Sequence, residues 1–260
     1  MPLKRALSVL GIVALIALGF GAGVLYTLEL PASLHLTGQD AYVSEEANAS
    51  ARSAFVEEAG GYLDVRPTGD ASTLFIFYPG GLVRPQAYEW LGVALAPLDV
   101  RTVIVNMPLN LAVLAPERAS EVLKTLDTIP EEVVIGGHSL GGAMAARYAH
   151  GHAQEVDGLV LMAAYPAGNN DLSSIALPTL VLAAEHDGLV SPQELNERAA
   201  LLPENARLEL VEGAVHSFFG RYGPQRGDGV PTTTRAAAEE EIVQTLRSFL
   251  DAVQVRSVSP

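Results

Sequence analysis

The chain has 260 residues, 49% of them apolar, no cysteine, and 30 acidic against 16 basic side chains, a formal charge of −14. The missing cysteines exclude disulfides, thiolate metal sites and a cysteine nucleophile, so packing alone must hold the fold. The acidic balance and the lack of a basic stripe argue against nucleic acid as a partner and give acidic substrates no electrostatic steering.

In chain order, the first feature is Ala6 to Leu28, 23 positions without a charge, preceded by Lys4 and Arg5 and followed by Glu29. Such a run is long enough to cross the hydrocarbon core of a bilayer as a helix. It exceeds the apolar region of about 7 to 15 residues in a cleaved signal peptide, and no convincing A-x-A site follows. Residues 1–30 are therefore expected to be a membrane anchor, with secretion after signal cleavage as the alternative. Lys4 and Arg5 place the amino terminus inside the cell and the following domain outside. Residues 31–260 carry 14 basic and 29 acidic side chains, a formal −15, which favours solubility.

Residues 31–60 are polar and alanine-rich and read as a spacer with a peripheral helix within Tyr42 to Glu58. From Gly61 to the end, strand and helix signals alternate, the pattern of a mostly parallel, doubly wound α/β sheet in one domain. Strands are expected at Tyr62 to Arg66, Thr73 to Tyr78, Thr102 to Asn106, Val133 to Gly136, Gly158 to Ala163, Thr179 to Ala183 and Arg207 to Val211. Most are continuous apolar runs, as strands covered on both faces require. Helices are expected at Gln86 to Ala96, Pro116 to Thr128, Gly142 to His150, Pro192 to Leu201 and Thr232 to Val253. Pro116 and Pro192 suit first helical turns, and Ser191 is a plausible N-cap.

The chemistry centres on Gly137-His138-Ser139-Leu140-Gly141, a strand, a tight turn and a helix in immediate succession. A serine there is pushed out of the sheet edge in a strained conformation, with glycines on both sides because a Cβ would strike neighbouring backbone. Serine is a weak nucleophile at neutral pH, so Ser139 needs a base, and the base needs a carboxylate to hold its tautomer. His216, in the loop after the strand Arg207 to Val211, is the candidate base. Asp187, at the carboxyl end of the strand before it, is the candidate acid, with Glu185 as the alternative. His138 is expected to pack or bond locally, and His150 and His152 to complement a helix end. The developing oxyanion needs donors: the Leu140 amide is one, and the paired glycines of Tyr78-Pro79-Gly80-Gly81-Leu82 point to Gly81 as the other, Leu82 next.

These segments resemble the α/β-hydrolase superfamily, and in particular compact, lid-poor members similar to the dienelactone-hydrolase group, over residues 61 to 252. The oxyanion loop, the elbow at Ser139, the acid turn Glu185-His186-Asp187-Gly188 and the histidine loop His216-Ser217-Phe218-Phe219-Gly220 stand in the family's order. The resemblance implies that Ser139 attacks a carbonyl, His216 moves the proton, Asp187 orients His216, and an acyl-enzyme forms that water hydrolyses. Dienelactone hydrolases use a cysteine nucleophile, which this chain lacks, so their substrate does not carry over. No cofactor or metal is implied.

The expected reaction is hydrolysis of a carboxylic ester, thioester or lactone, the partner being a small-molecule acyl compound. Acyl transfer or peptide cleavage on the same triad, or non-catalytic binding on the same scaffold, are the alternatives. About fourteen residues separate Ala163 from Pro178, too few for an inserted helical cap, so an open site and short acyl chains are expected. Leu82, Tyr165, Phe218, Phe219 and Tyr222 are candidates to line it, and the turn-rich Arg221 to Gly229 is a candidate specificity loop.

Overall fold

The apolar runs form the centre of a single eight-stranded sheet in the computed structural model, which describes residues 15–21, 23 and 43–257. The strands are β1 (Ala51–Val56), β2 (Tyr62–Pro67), β3 (Thr73–Tyr78), β4 (Val100–Val105), β5 (Glu132–His138), β6 (Gly158–Met162), β7 (Thr179–Ala184) and β8 (Arg207–Val211). Their order is β1-β2-β4-β3-β5-β6-β7-β8. β1 and β2 pair antiparallel, as do β2 and β4, and every pairing from β4 to β8 is parallel.

Every residue of β3, β4, β5, β6 and β7 is buried, because helices cover both faces. Successive side chains of a strand point to opposite sides. Phe75 and Phe77 accordingly pack with Trp90, Leu91, Ile242, Leu246 and Phe249, from α2 (Glu89–Leu95) and α6 (Arg235–Ser257). Leu74, Ile76 and Tyr78 pack on the other face with Val122, Ala145, Tyr148 and Leu195, from α3 (Arg118–Leu123), α4 (Leu140–Gly151) and α5 (Pro192–Glu197). The Ser191 hydroxyl caps α5 by accepting from the Glu194 amide at 3.1 Å, with Pro192 in the first turn as expected.

Two expectations for local structure are corrected. The helix sought within Tyr42 to Glu58 is only α1 (Glu45–Ser50), capped by Ser44. The chain then extends as β1 in register Ala51↔Pro67 to Val56↔Tyr62. β1 is an edge strand with four exposed residues, so no burial pattern marks it in the sequence. The helix expected from Pro116 begins at Arg118 and ends at Leu123. Tyr78 Oη donates to the Pro116 carbonyl at 2.8 Å and accepts the Ala119 amide at 2.9 Å, holding the start in a tertiary contact. Beyond its end, Asp127 turns to Arg66 (3.2 Å) and Arg101 (3.3 Å).

The expected anchor Ala6 to Leu28 lies largely outside the described residues. Residues 15–21 and 23 are helical, and no helix among the described residues is long and apolar enough to cross a membrane. The sheet creates its own site: the chain leaves β3 to one side for β4 and returns to the other for β5. In α/β sheets the crevice outside the carboxyl ends at such a reversal is where ligands bind. Tyr78 stands level with Gly137 there, so the loops after β3 and β5 meet.

Candidate active site

β5 ends at His138, and Ser139 turns with φ 53° and ψ −123° before α4 begins at Leu140. A positive φ at a non-glycine residue costs of order 1–3 kcal/mol and persists only where its surroundings impose it. Here they do. The Ser139 amide donates to the Met162 carbonyl of β6 at 2.9 Å, and the Ser139 carbonyl accepts the Ala143 amide at 3.1 Å. A Cβ on Gly137 would lie 2.6 Å from the Gly141 carbonyl carbon and 2.7 Å from the Tyr78 oxygen, and one on Gly141 would strike the Tyr78 and Pro79 carbonyl oxygens. Both glycines are thus required for α4 to start so close to β3. The turn leaves Ser139 half-buried at the helix amino terminus.

His216 opens a short 3₁₀ turn, His216–Phe219, beyond β8, and is 1% exposed. Its Nδ1 lies 2.8 Å from Asp187 Oδ2. Asp187 Oδ1 accepts the amides of Leu189 (2.8 Å) and Val190 (2.7 Å), which fixes the carboxylate and leaves Oδ2 for the imidazole. A carboxylate at Nδ1 selects the tautomer with its proton there and a free lone pair at Nε2. Nε2 is buried and has no hydrogen-bond partner among the described residues. The His216 ring lies 4.5 Å from that of His138, the residue next to Ser139. Asp187 and His216 are therefore joined, Ser139 is on the neighbouring turn, and the hydrogen bond from serine to imidazole is not closed. Such bonds are often long before substrate binds.

Gly80 donates its amide to Tyr88 Oη at 3.0 Å and Leu82 donates to the Asn110 carbonyl at 2.8 Å, whereas Gly81 between them has no acceptor among the described residues. The Leu140 amide, at the first position of α4, has none either. A Cβ on Gly81 would sit 3.3 Å from Leu140 Cδ2, so the two free amides belong to segments in contact. The Leu82 amide, considered second from sequence, is already engaged.

A family model described as "Alpha/beta hydrolase family" matches residues 74–240, which span β3, the elbow, Asp187 and His216. The chain belongs to the alpha/beta hydrolase family. Solved structures agree on the fold. A protein from Thermoplasma acidophilum described as a "predicted CIB-like hydrolase" is 19% identical with a TM-score of 0.59, over 77% of this chain and 97% of that one. Est1E from Butyrivibrio proteoclasticus is 13% identical, TM-score 0.59, over 78% and 99%. A membrane phospholipase A described as a bacterial virulence factor is 16% identical, TM-score 0.60, over 96% and 99%. No curated protein matches the chain.

In this alpha/beta hydrolase the connection from β6 to β7 carries no helix, so no cap is inserted there. Leu82 and Tyr165 are half-buried, and Tyr165 Oη donates to Glu194 at 2.6 Å beneath the Arg198 guanidinium. Phe218 is half-buried under Arg235. Phe219 and Tyr222 are each 1% exposed, with rings 5.6 and 6.1 Å from that of His138, so the core occupies their surfaces.

Two residues bear on the site without having been singled out from sequence. Asp228 accepts the amides of His216 and Ser217, both at 2.9 Å, and so ties the loop Arg221 to Gly229 to the backbone of His216. Gly229 and Gly188 extend the same contact, since a Cβ on either would strike the backbone of His186 or Gly227. The only local signal was the Asp228-Gly229 pair within a turn-rich loop. Tyr88 is the other residue. It reaches both the loop after β3 and His138.

Proposed function

We propose that the protein is a serine hydrolase that cleaves a carboxylic ester, thioester or lactone through an acyl-enzyme on Ser139. The observation that carries this reading is the buried Asp187–His216 pair at 2.8 Å, whose Nε2 has no partner among the described residues and lies next to the strained turn that bears Ser139. Ser139 Oγ adds to the carbonyl carbon while its proton passes to His216 Nε2. The former carbonyl oxygen, now an anion, takes the amides of Gly81 and Leu140. Collapse expels the alcohol or thiol, which leaves with the proton from His216. Water then repeats the addition with its proton going to His216, and Ser139 recovers a proton as the acid departs. Asp187 stays ionised throughout and holds the imidazolium.

The acyl side of the substrate is apolar in this reading. Met107 to Ala115, the loop after β4, contains no charged residue, exposes Val113 and Leu114, and brings Leu111 Cδ2 to 4.0 Å from where a Gly81 Cβ would stand. The missing insertion between β6 and β7 supports kinship with compact, cap-poor members of the dienelactone-hydrolase type, here with serine in place of cysteine. The uncharged run Ala6 to Leu28 after Lys4 and Arg5 supports a membrane anchor and an extracytoplasmic catalytic domain.

Stopped-flow hydrolysis of p-nitrophenyl butyrate tests the proposal. It expects a burst of nitrophenol equal to the enzyme concentration, absent in Ser139→Ala. Equal steady-state rates for wild type and Ser139→Ala would overturn it.

A further inference from the structure

We propose that Tyr88 and His138 are positioning residues that hold the loop after β3 so that the Gly81 amide faces the oxyanion. The inference rests on the serine-hydrolase reading above and adds to it a two-bond strut that the triad does not contain.

The strut runs through the interior. The Gly80 amide donates to Tyr88 Oη at 3.0 Å, and Tyr88 Oη lies 2.8 Å from His138 Nδ1. Tyr88 and His138 are both fully buried. A hydroxyl has one proton to give. Tyr88 Oη therefore accepts from Gly80 and closes a second bond with His138 Nδ1, whose direction follows the tautomer of the neutral ring. Burial, and then the nearby His216, hold His138 well below the usual histidine range, and burial raises the Tyr88 phenol, so both stay uncharged. The fit is tight at Gly80, where a Cβ would lie 2.9 Å from His138 Nδ1 and 3.0 Å from Tyr88 Oη.

Three consequences bear on catalysis. The Gly80 amide is drawn into the core and the Leu82 amide is taken by Asn110, so Gly81 alone of the three stays available on the side of Leu140. His138 is bonded covalently to Ser139, so the strut sets the distance between the nucleophile and the oxyanion loop across the β3–β5 crevice. The neutral His138 ring also lies 4.5 Å from His216, which can take up a proton without facing a second cation. Oxyanion donors act only when fixed where the charge develops.

Kinetics on the full chain with p-nitrophenyl butyrate separate this role from simple packing. Tyr88→Phe keeps the ring, and with it the contact to Phe77 at 4.9 Å, but removes the hydroxyl. We expect kcat to fall by about 10- to 100-fold with KM held within about two-fold, as for a small misplacement of a catalytic donor. His138→Leu should lose as much. His138→Asn, which keeps a hydrogen-bonding group near Nδ1, should recover at least about ten-fold of that loss, and Tyr88→Phe/His138→Leu should be no worse than either single variant, since both act through one strut. Melting temperatures identify any variant that has lost its fold, and Tyr88→Phe then carries the test. A folded Tyr88→Phe with wild-type kcat, or one whose loss lies in KM, would overturn the strut. Ser139→Ala run in parallel reports on the underlying reading: if it is inactive while Tyr88→Phe is unimpaired, the strut alone fails, and if it is fully active, the serine-hydrolase reading fails.

Discussion

Replacing Asp187 by asparagine exchanges one carboxylate oxygen for an NH₂ and isolates the role of the carboxylate. Asp187 Oδ1 accepts two amides, Leu189 at 2.8 Å and Val190 at 2.7 Å, so the oxygen of an asparagine must occupy that position and its NH₂ must take the place of Oδ2, facing His216 Nδ1. The flipped amide would set its NH₂ against two donors. Because the NH₂ can only donate, Nδ1 becomes the acceptor, the ring proton moves to Nε2, and the lone pair needed for Ser139 disappears. The side chains of Asp187 and His216 are 0% and 1% exposed, so water offers no alternative partner. A wrong tautomer in an intact triad costs about 10⁴-fold in kcat, equivalent to about 5 kcal/mol of transition-state stabilisation. The assay is steady-state hydrolysis of p-nitrophenyl butyrate, with circular dichroism to verify the fold. A folded Asp187→Asn enzyme that retains more than about a tenth of wild-type kcat would refute the argument, because a tautomer switch of this kind cannot be so mild.

Gly141→Ala places a Cβ against the Tyr78 and Pro79 carbonyl oxygens, and since backbone cannot yield cheaply a loss of about 3 kcal/mol in urea unfolding is expected; under about 1 kcal/mol would show that the elbow has slack. Arg101→Met strips the buried Asp64 of a bidentate partner at 2.9 and 2.8 Å. Arg66 Nε, at 2.7 Å, remains as a partner of Asp64, so the loss should be about 2–3 kcal/mol in the same assay, and a change near zero would contradict it. His152 lies between Glu155 (3.1 Å) and Glu117 (2.9 Å), and these hydrogen bonds, that to Glu155 first, raise its pKa. A raised histidine stabilises the fold fully below its unfolded value of about 6.5 and loses that contribution as pH climbs through the folded value. The melting-temperature gap between wild type and His152→Gln should therefore narrow from about pH 5.5 to 8.5, and a constant gap would rule out the effect.

The centre of the sheet was legible because its strands are wrapped on both faces. Thr73 to Tyr78 and Arg207 to Val211 came out with the bounds read from sequence, and the glycine–serine elbow declared itself through adjacent residues alone. What escaped depends on distant partners. β1 is exposed along four of its six residues and exists because β2 offers it an edge. α3 is shortened at its start by a tyrosine hydroxyl from β3. Tyr88 meets His138 across 50 positions, and Asp228 serves backbone amides 11 and 12 positions away. None of these leaves a periodic trace, since a hydrogen bond to backbone demands an acceptor in the right place and no particular neighbour in the chain.

The most direct measurement of the central claim is intact-protein mass spectrometry after exposure to a fluorophosphonate, followed by peptide mapping. A single adduct on Ser139, lost in Ser139→Ala and slowed in Asp187→Asn, is the predicted result. A folded protein that takes up no label, or takes it up at another residue, would contradict the account.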